Sequence, residues 1–235
     1  MPFSLPLDYP RIRFVASFDE LVHTPFVDGV NALCWRRDAL PGDFGEVLRL
    51  LAPAAGITAV NEEQLRLLPL SPAGRAAVEI LLQDQRSLQE HGLDPILECV
   101  NSYPPVEDPG ALRTDVCSFH VDTATAEADT YLCTYHGASS EGLRHEDAWR
   151  HVDVPETRAR LLRLFGGEDG EAFREYLEER FYDLHYAALP GAVPYSFGVG
   201  HLWRIAIDYP GCPVPPCVHR APDPVAGEPR LLLIS

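Results

Sequence analysis

No lysine occurs among the 235 residues, so all 19 basic side chains are arginine. That bias fits the codon usage of a GC-rich bacterial genome and carries no chemical information. Positive charge is scarce as well: 35 acidic residues leave a formal net charge of −16. This excludes nucleic acid and anionic membrane surfaces as natural partners, because both demand a basic face; a small-molecule substrate fits better. No run approaches the roughly 18 apolar residues of a membrane span. The N-terminal stretch Met1-Pro2-Phe3-Ser4-Leu5-Pro6-Leu7-Asp8 lacks the charged start and apolar segment of a secretory signal. A soluble cytoplasmic protein is the expectation. No glycine-rich phosphate loop, nucleophile elbow or Cys-His protease pattern is present, and Gly198-Val199-Gly200 is too short to count. The six cysteines are scattered, without a short Cys-x2-Cys knuckle, and read as reduced core residues.

What is present is punctuation: 22 prolines and 17 glycines cut the chain into short elements. Hydrophobic residues make up 46%, enough for one large domain spanning residues 1–235. Residues 1–94 look helix-rich. Asp43 to Leu51 follows the turn Pro41-Gly42, and Pro72 to His91 has Ser71 as N-cap, Pro72 at the first helical position and Gly92 as a stop. Ala77, Ile80, Leu81, Asp84 and Leu88 form the stripe of the second helix. From residue 95 the texture becomes β, with strands predicted at Ile96 to Val100, Asp115 to Val121, Thr130 to Tyr135, Val193 to Phe197, His201 to Ile207, around Val218, and Leu231 to Ile234. A helical insertion over about 155–189 interrupts them, as Pro155 to Leu164 and Glu168 to Leu189. The pattern predicts a mainly β protein with added helices: a double-stranded β-helix (jelly roll, cupin-like) braced by helices on one face.

The chemistry concentrates in two places. In Phe119-His120-Val121-Asp122 the strand period of two turns His120 and Asp122 to one face. Near the end, Pro216-Cys217-Val218-His219-Arg220-Ala221-Pro222 supplies a second imidazole, and Arg230 opens the last apolar run. Two histidines and one carboxylate can form a facial triad that leaves coordination positions open, the arrangement associated with Fe(II). Arg230 can grip a carboxylate through two parallel hydrogen bonds, as the far end of 2-oxoglutarate requires. Composition predicts fewer than one His-x-Asp triplet, yet there are three. His145-Glu146-Asp147 sits in a charged stretch and reads as solvated. His151-Val152-Asp153 resembles the entrance to a helix, with Asp153 as a cap, and is the alternative to His120 and Asp122. A zinc reading of Cys212, Cys217 and His219 lacks a fourth ligand.

The segments Phe119-His120-Val121-Asp122, Leu132-Cys133-Thr134-Tyr135-His136-Gly137, Val218-His219-Arg220-Ala221-Pro222 and Pro229-Arg230-Leu231-Leu232-Leu233 resemble a bacterial family catalogued as domain of unknown function 1826, whose members look like distant relatives of the iron and 2-oxoglutarate dioxygenases. The resemblance covers residues 115 to 137 and 200 to 235. It implies iron ligands at His120, Asp122 and His219 and a co-substrate arginine at Arg230. The chain departs from the family pattern in three respects: His136-Gly137-Ala138-Ser139-Ser140 stands where Arg-Gly-Pro-Gly-Thr is expected, Ala221 replaces a serine, and the helical insertion between Asp122 and His219 is long. Substrate choice is expected to differ accordingly.

Tyr131 and Tyr135 are candidates to hydrogen-bond 2-oxoglutarate or substrate, with filling the core as the competing role. His136, His201, Trp203, Arg204 and Arg220 are second-rank candidates for a substrate pocket. The expectation is an Fe(II)- and 2-oxoglutarate-dependent dioxygenase that uses O2 to hydroxylate, desaturate or cyclise a small polar metabolite such as an amino acid or biosynthetic intermediate. Asp122 argues against halogenation, which needs that coordination position for halide. Rival expectations are a cupin-like metalloenzyme that does not use 2-oxoglutarate and a non-catalytic jelly-roll binding protein.

Overall fold

The computed structural model describes residues 5–37, 39–52, 55–103 and 112–235; Met1 to Ser4 of the N-terminal stretch lie outside them. The strands are β1 (Ile12–Val15), β2 (Ala32–Trp35), β3 (Ile57–Val60), β4 (Ile96–Val100), β5 (Asp129–His136), β6 (Glu141–Gly142), β7 (Ala148–Arg150), β8 (Tyr186–Ala188), β9 (Tyr195–Ser196), β10 (Leu202–Ala206), β11 (His219–Arg220) and β12 (Arg230–Ile234). The helices are α1 (Phe18–His23), α2 (Phe44–Leu51), α3 (Glu62–Leu67), α4 (Pro72–Glu90), α5 (Pro155–Phe165) and α6 (Glu171–Glu178). The architecture is mixed α/β. A seven-stranded sheet in the order β1-β2-β10-β5-β12-β4-β3 is antiparallel except for the β1/β2 pair, and three-stranded (β11-β6-β9) and two-stranded (β7-β8) sheets accompany it. None of the sheets closes on itself.

Capping explains where the helices start. The Ser71 hydroxyl accepts from the Gly74 amide with Pro72 in the first turn, and Asp43 caps α2 through the Glu46 amide. At α5 the cap is Val154, without a side-chain bond, so Asp153 does not take the capping role expected of it. The long helix expected over Glu168 to Leu189 is also shorter. It ends at Glu178, Phe181 adopts a left-handed φ of 57°, and the chain returns as β8. Phe173 and Leu177 of α6 are buried against Leu161, Val152 and Tyr182, while Phe181 beyond the helix end is exposed. Each large side chain removed from water in this satellite core contributes roughly 1.5–3 kcal/mol toward holding the insertion in place.

Residues 1–94 carry α1 to α4, two helices more than the sequence pattern predicted, and also supply β1, β2 and β3 as three strands of the large sheet. Strand alternation gives that sheet two different faces. Tyr131, Cys133, Tyr135, Leu231 and Leu233 pack beneath α2 and α4, with Val47, Leu48, Leu81 and Leu88. On the other face, Leu132, Leu232, Trp203 and Ile205 meet Tyr195, Phe197 and Cys217 at the edge of the three-stranded sheet. Among the described residues no helix is long and apolar enough to cross a membrane.

Candidate metal centre

The segment Asp115 to Val121 is not the single strand expected. The Asp115 carboxylate accepts from the amides of Cys117 and Ser118 and ties residues 115–118 into a turn. Only then does the backbone straighten. The His120 amide donates to the His219 carbonyl and the His219 amide to the His120 carbonyl, both at 2.9 Å, while Val121 donates to Leu184 and Tyr186 to Phe119 on the opposite edge. These bridges extend the three-stranded sheet past β11. Phe119, Val121, Leu143 and Val218 bury together on one side, so His120, Asp122 and His219 emerge on the other.

The side chains are arranged as ligands. His120 Nδ1 donates to the Ser118 carbonyl at 2.8 Å and His219 Nδ1 to the Cys217 carbonyl at 3.2 Å. Each bond assigns the ring proton to Nδ1 and leaves the Nε2 lone pair free, the outer support that ligating imidazoles use. His120 Nε2 lies 3.6 Å from Asp122 Oδ1, and His219 Nε2 lies 3.7 Å from Asp122 Oδ2. These separations are too long for hydrogen bonds. The three ligand atoms lie within 4.8 Å of one another, and both histidine–aspartate separations fall inside the roughly 4.2 Å that two metal bonds of about 2.1 Å can span.

Electrostatics agree with that role. Burial first, and then the neighbouring His219, push His120 down to about 4, so its imidazole is neutral at physiological pH. Burial alone would raise the Asp122 carboxyl, but His219, the Thr130 hydroxyl at 2.6 Å and His120 outweigh it and hold the group below the usual carboxylate range. A neutral imidazole and an ionised carboxylate are the forms that bind metal.

The cluster opens into a cavity of about 430 Å3. Arg230 lines it and is 4% exposed. Its Nε donates to the Ala138 carbonyl at 2.6 Å, one Nη to the Tyr103 hydroxyl at 2.7 Å, and the other to Ser140 and Thr134 at 3.1 and 3.3 Å. Every partner is neutral, and burial pulls the guanidinium below its ordinary value. Among the described residues no carboxylate pairs with it.

The remaining candidates lie elsewhere. Tyr131 and Tyr135 project from the helix-covered face of β5, because the cavity takes the alternate positions Thr130 and Leu132. The Tyr135 hydroxyl donates to Asp84 inside the core. Trp203 is buried and stacks on Phe197, whose ring in turn faces His219 at 6.4 Å, so it backs the site without lining it. Arg204 pairs with Asp129 at 2.7 Å and Arg220 with Glu141 at 2.6 Å. His201 accepts from the Arg37 amide, and His136 lines a separate cleft beside Gly45 and Arg49. The alternative pairs His145/Asp147 and His151/Asp153 each fall in a 3-10 turn, where residues two apart point in different directions. Cys212 and Cys217 are free thiols and do not join the cluster.

Sequence reasoning missed Tyr103, Thr130, Ser140 and Glu98 as cavity residues, and His185, whose ring stacks on His120 at a centroid distance of 5.7 Å. Glu98 carried a signal: it is a charge inside the apolar strand Ile96-Leu97-Glu98-Cys99-Val100. Gly142 is required by its neighbours. It pairs with His219 on one side and Tyr195 on the other, and a Cβ there would run into the Tyr195 ring. No family model, curated protein or solved structure matches the chain.

Proposed function

We propose that the chain is a cytoplasmic Fe(II)- and 2-oxoglutarate-dependent dioxygenase built on a double-stranded β-helix and related to the family it resembles, hydroxylating a small polar metabolite. The observation that carries the reading is the sharing of one cavity by a two-histidine, one-aspartate ligand set and a buried arginine that lacks a carboxylate partner among the described residues. The donor set suits Fe(II), with imidazole and carboxylate ligands and no thiolate. His120 and His219 would hold the ion through Nε2 and Asp122 through its carboxylate, while Arg230 would hold the distal carboxylate of 2-oxoglutarate. When bound, iron and 2-oxoglutarate together supply an oxidation by O2 that yields succinate, CO2 and the hydroxylated product. The chain's own residues do the positioning. The Ser118 and Cys217 carbonyls orient the two rings, Thr130 steadies Asp122, and Tyr103 and Ser140 orient Arg230. Val116, Leu132, Leu232 and Ile234 keep the cavity wall apolar, which limits the water that reaches the reacting groups.

The test is an anaerobic Fe(II) titration of wild type and Arg230→Met, with and without 2-oxoglutarate, following the weak visible charge-transfer band of the iron chelate. The expected result is iron binding in both proteins and a band that forms at least about thirtyfold less readily in the variant, in line with roughly 2 kcal/mol or more for a desolvated charge pair. The four bonds Arg230 already makes support one second reading, a cupin-like metalloprotein in which Arg230 is structural. Iron binding without a band in wild type would establish that reading. No iron binding at all would leave a binding protein.

A further inference from the structure

Glu98 lines the cavity without a partner among the described residues. It projects from β4, directly across from Leu232 of β12 on one side and Ala59 of β3 on the other. Arg230 faces Val100, two residues along the same strand, so the two charged positions are diagonal neighbours at about 7–8 Å. Diagonal opposite charges ordinarily pair. Here the guanidinium is drawn the other way by Ala138, Tyr103, Thr134 and Ser140, and no hydrogen bond or ion pair joins the Glu98 carboxylate to any described residue. No arginine occurs in the sequence outside the described residues. The other cavity acids are engaged: Asp115 with Arg113 and two amides, and Asp122 with Thr130 and the histidines. Glu98 is half-buried, and burial raises its carboxyl. A carboxylate left partly dry among Ile57, Leu232 and Ile234 is disfavoured unless a cation arrives to pair with it.

We infer that Glu98 is the substrate-recognition residue of this cavity and that the substrate carries a positively charged nitrogen, an amine or guanidinium, on an aliphatic body. The inference rests on the oxygenase reading in one respect: that reading commits Arg230 to the co-substrate and leaves Glu98 for the substrate. The carboxylate supplies the charged anchor, and the apolar wall fits the aliphatic part of the molecule. A cation held there lies in the same cavity as the ligand cluster, which places the aliphatic carbons toward the site of oxidation.

The test measures equilibrium binding of two probes of equal length, n-pentylamine and n-pentanol, to the full-length chain without added metal, by calorimetry, in wild type and Glu98→Gln. The expected result is a preference for the amine of about tenfold or more in wild type, the size of one charge-assisted pair, falling to about one in the variant. The wild-type ratio needs no variant and stands even if Glu98→Gln fails to fold. Equal binding of amine and alcohol to wild type, or no binding of either, overturns the inference. An amine preference that survives in Glu98→Gln does so too, because the net charge of −16 would then be attracting the amine nonspecifically. The wild-type iron titration is read separately. Amine preference without iron binding would sink the oxygenase reading alone, and iron and 2-oxoglutarate binding without amine preference would sink this inference alone.

Discussion

Two buried arginines sit on opposite faces of the same sheet and are treated in opposite ways. Behind the sheet, Arg37 makes two bonds to the Asp84 carboxylate at 2.6 and 2.9 Å, one to the Gly200 carbonyl and one to Cys133 Sγ, and Asp84 also accepts from Tyr135. Burial pulls the Arg37 guanidinium down, but Cys133, Asp84 and Tyr135 outweigh it and raise it. In front, Arg230 is more deeply buried, has only neutral partners among the described residues and is lowered. The rear network closes its charge within the chain. The front set leaves charge open, and open charge inside a cavity is a binding specification.

The sharpest way to break the contrast is to compare Asp84→Ala with Arg230→Met by urea unfolding. Losing Asp84 strands Arg37 as an unpaired buried charge and is expected to cost about 3–5 kcal/mol. Replacing Arg230 with an apolar side chain of similar length removes a charge that had no counter-ion, so the expected cost is under about 2 kcal/mol, from the polar groups it leaves behind. Equal losses would mean that Arg230 is a structural residue.

The second prediction uses pH on the metal-free protein. The folded His120 stays neutral until about 4, whereas an unfolded histidine takes up its proton near 6.5. The unfolded state therefore binds more protons between those values, and stability falls as pH drops from about 6.5 to about 4, by about 3 kcal/mol from this group. His185, His151 and His145 are shifted in the same direction, so the decisive comparison is the slope of unfolding free energy against pH in wild type and in His120→Asn. A slope unchanged in the variant would show that His120 is not the buried neutral base described here.

The smallest expected effect is at Tyr103, whose hydroxyl orients one Nη of Arg230. Tyr103→Phe should weaken 2-oxoglutarate binding about fivefold, equivalent to roughly 1 kcal/mol for one hydrogen bond, with iron binding unchanged in the same titration. Unchanged co-substrate binding would remove Tyr103 from the carboxylate-holding set.

The helices with clear caps and the strands with sustained apolar runs were legible in the sequence, and so was the pairing of His120 with Asp122 through the period of two, whereas His219 joined them through the family resemblance. Other features needed three-dimensional information. β1 and β2 are only four residues long, and tertiary pairing, not local pattern, defines them. The face on which Tyr131 and Tyr135 lie was undetermined, because alternation fixes which residues share a face and not which face meets the cavity. Asp84 was visible as the odd member of the α4 stripe, and its meaning emerged only with Arg37 beside it. The helix expected to reach Leu189 shows the reverse problem: the apolar spacing continues past Glu178, but the backbone turns at Phe181.

The paired backbone bonds between His120 and His219 also bear on how the site comes into being. The two residues are nearly half the chain apart, and their pairing closes a loop that contains β5, the helical insertion and β10. Such a closure is entropically late, since its loop must be ordered before the contact gains anything. Once made, it sets the spacing of the imidazoles without help from an ion. The ligand spacing is thus a product of long-range backbone pairing, and a metal added during refolding should find no site until that contact has formed.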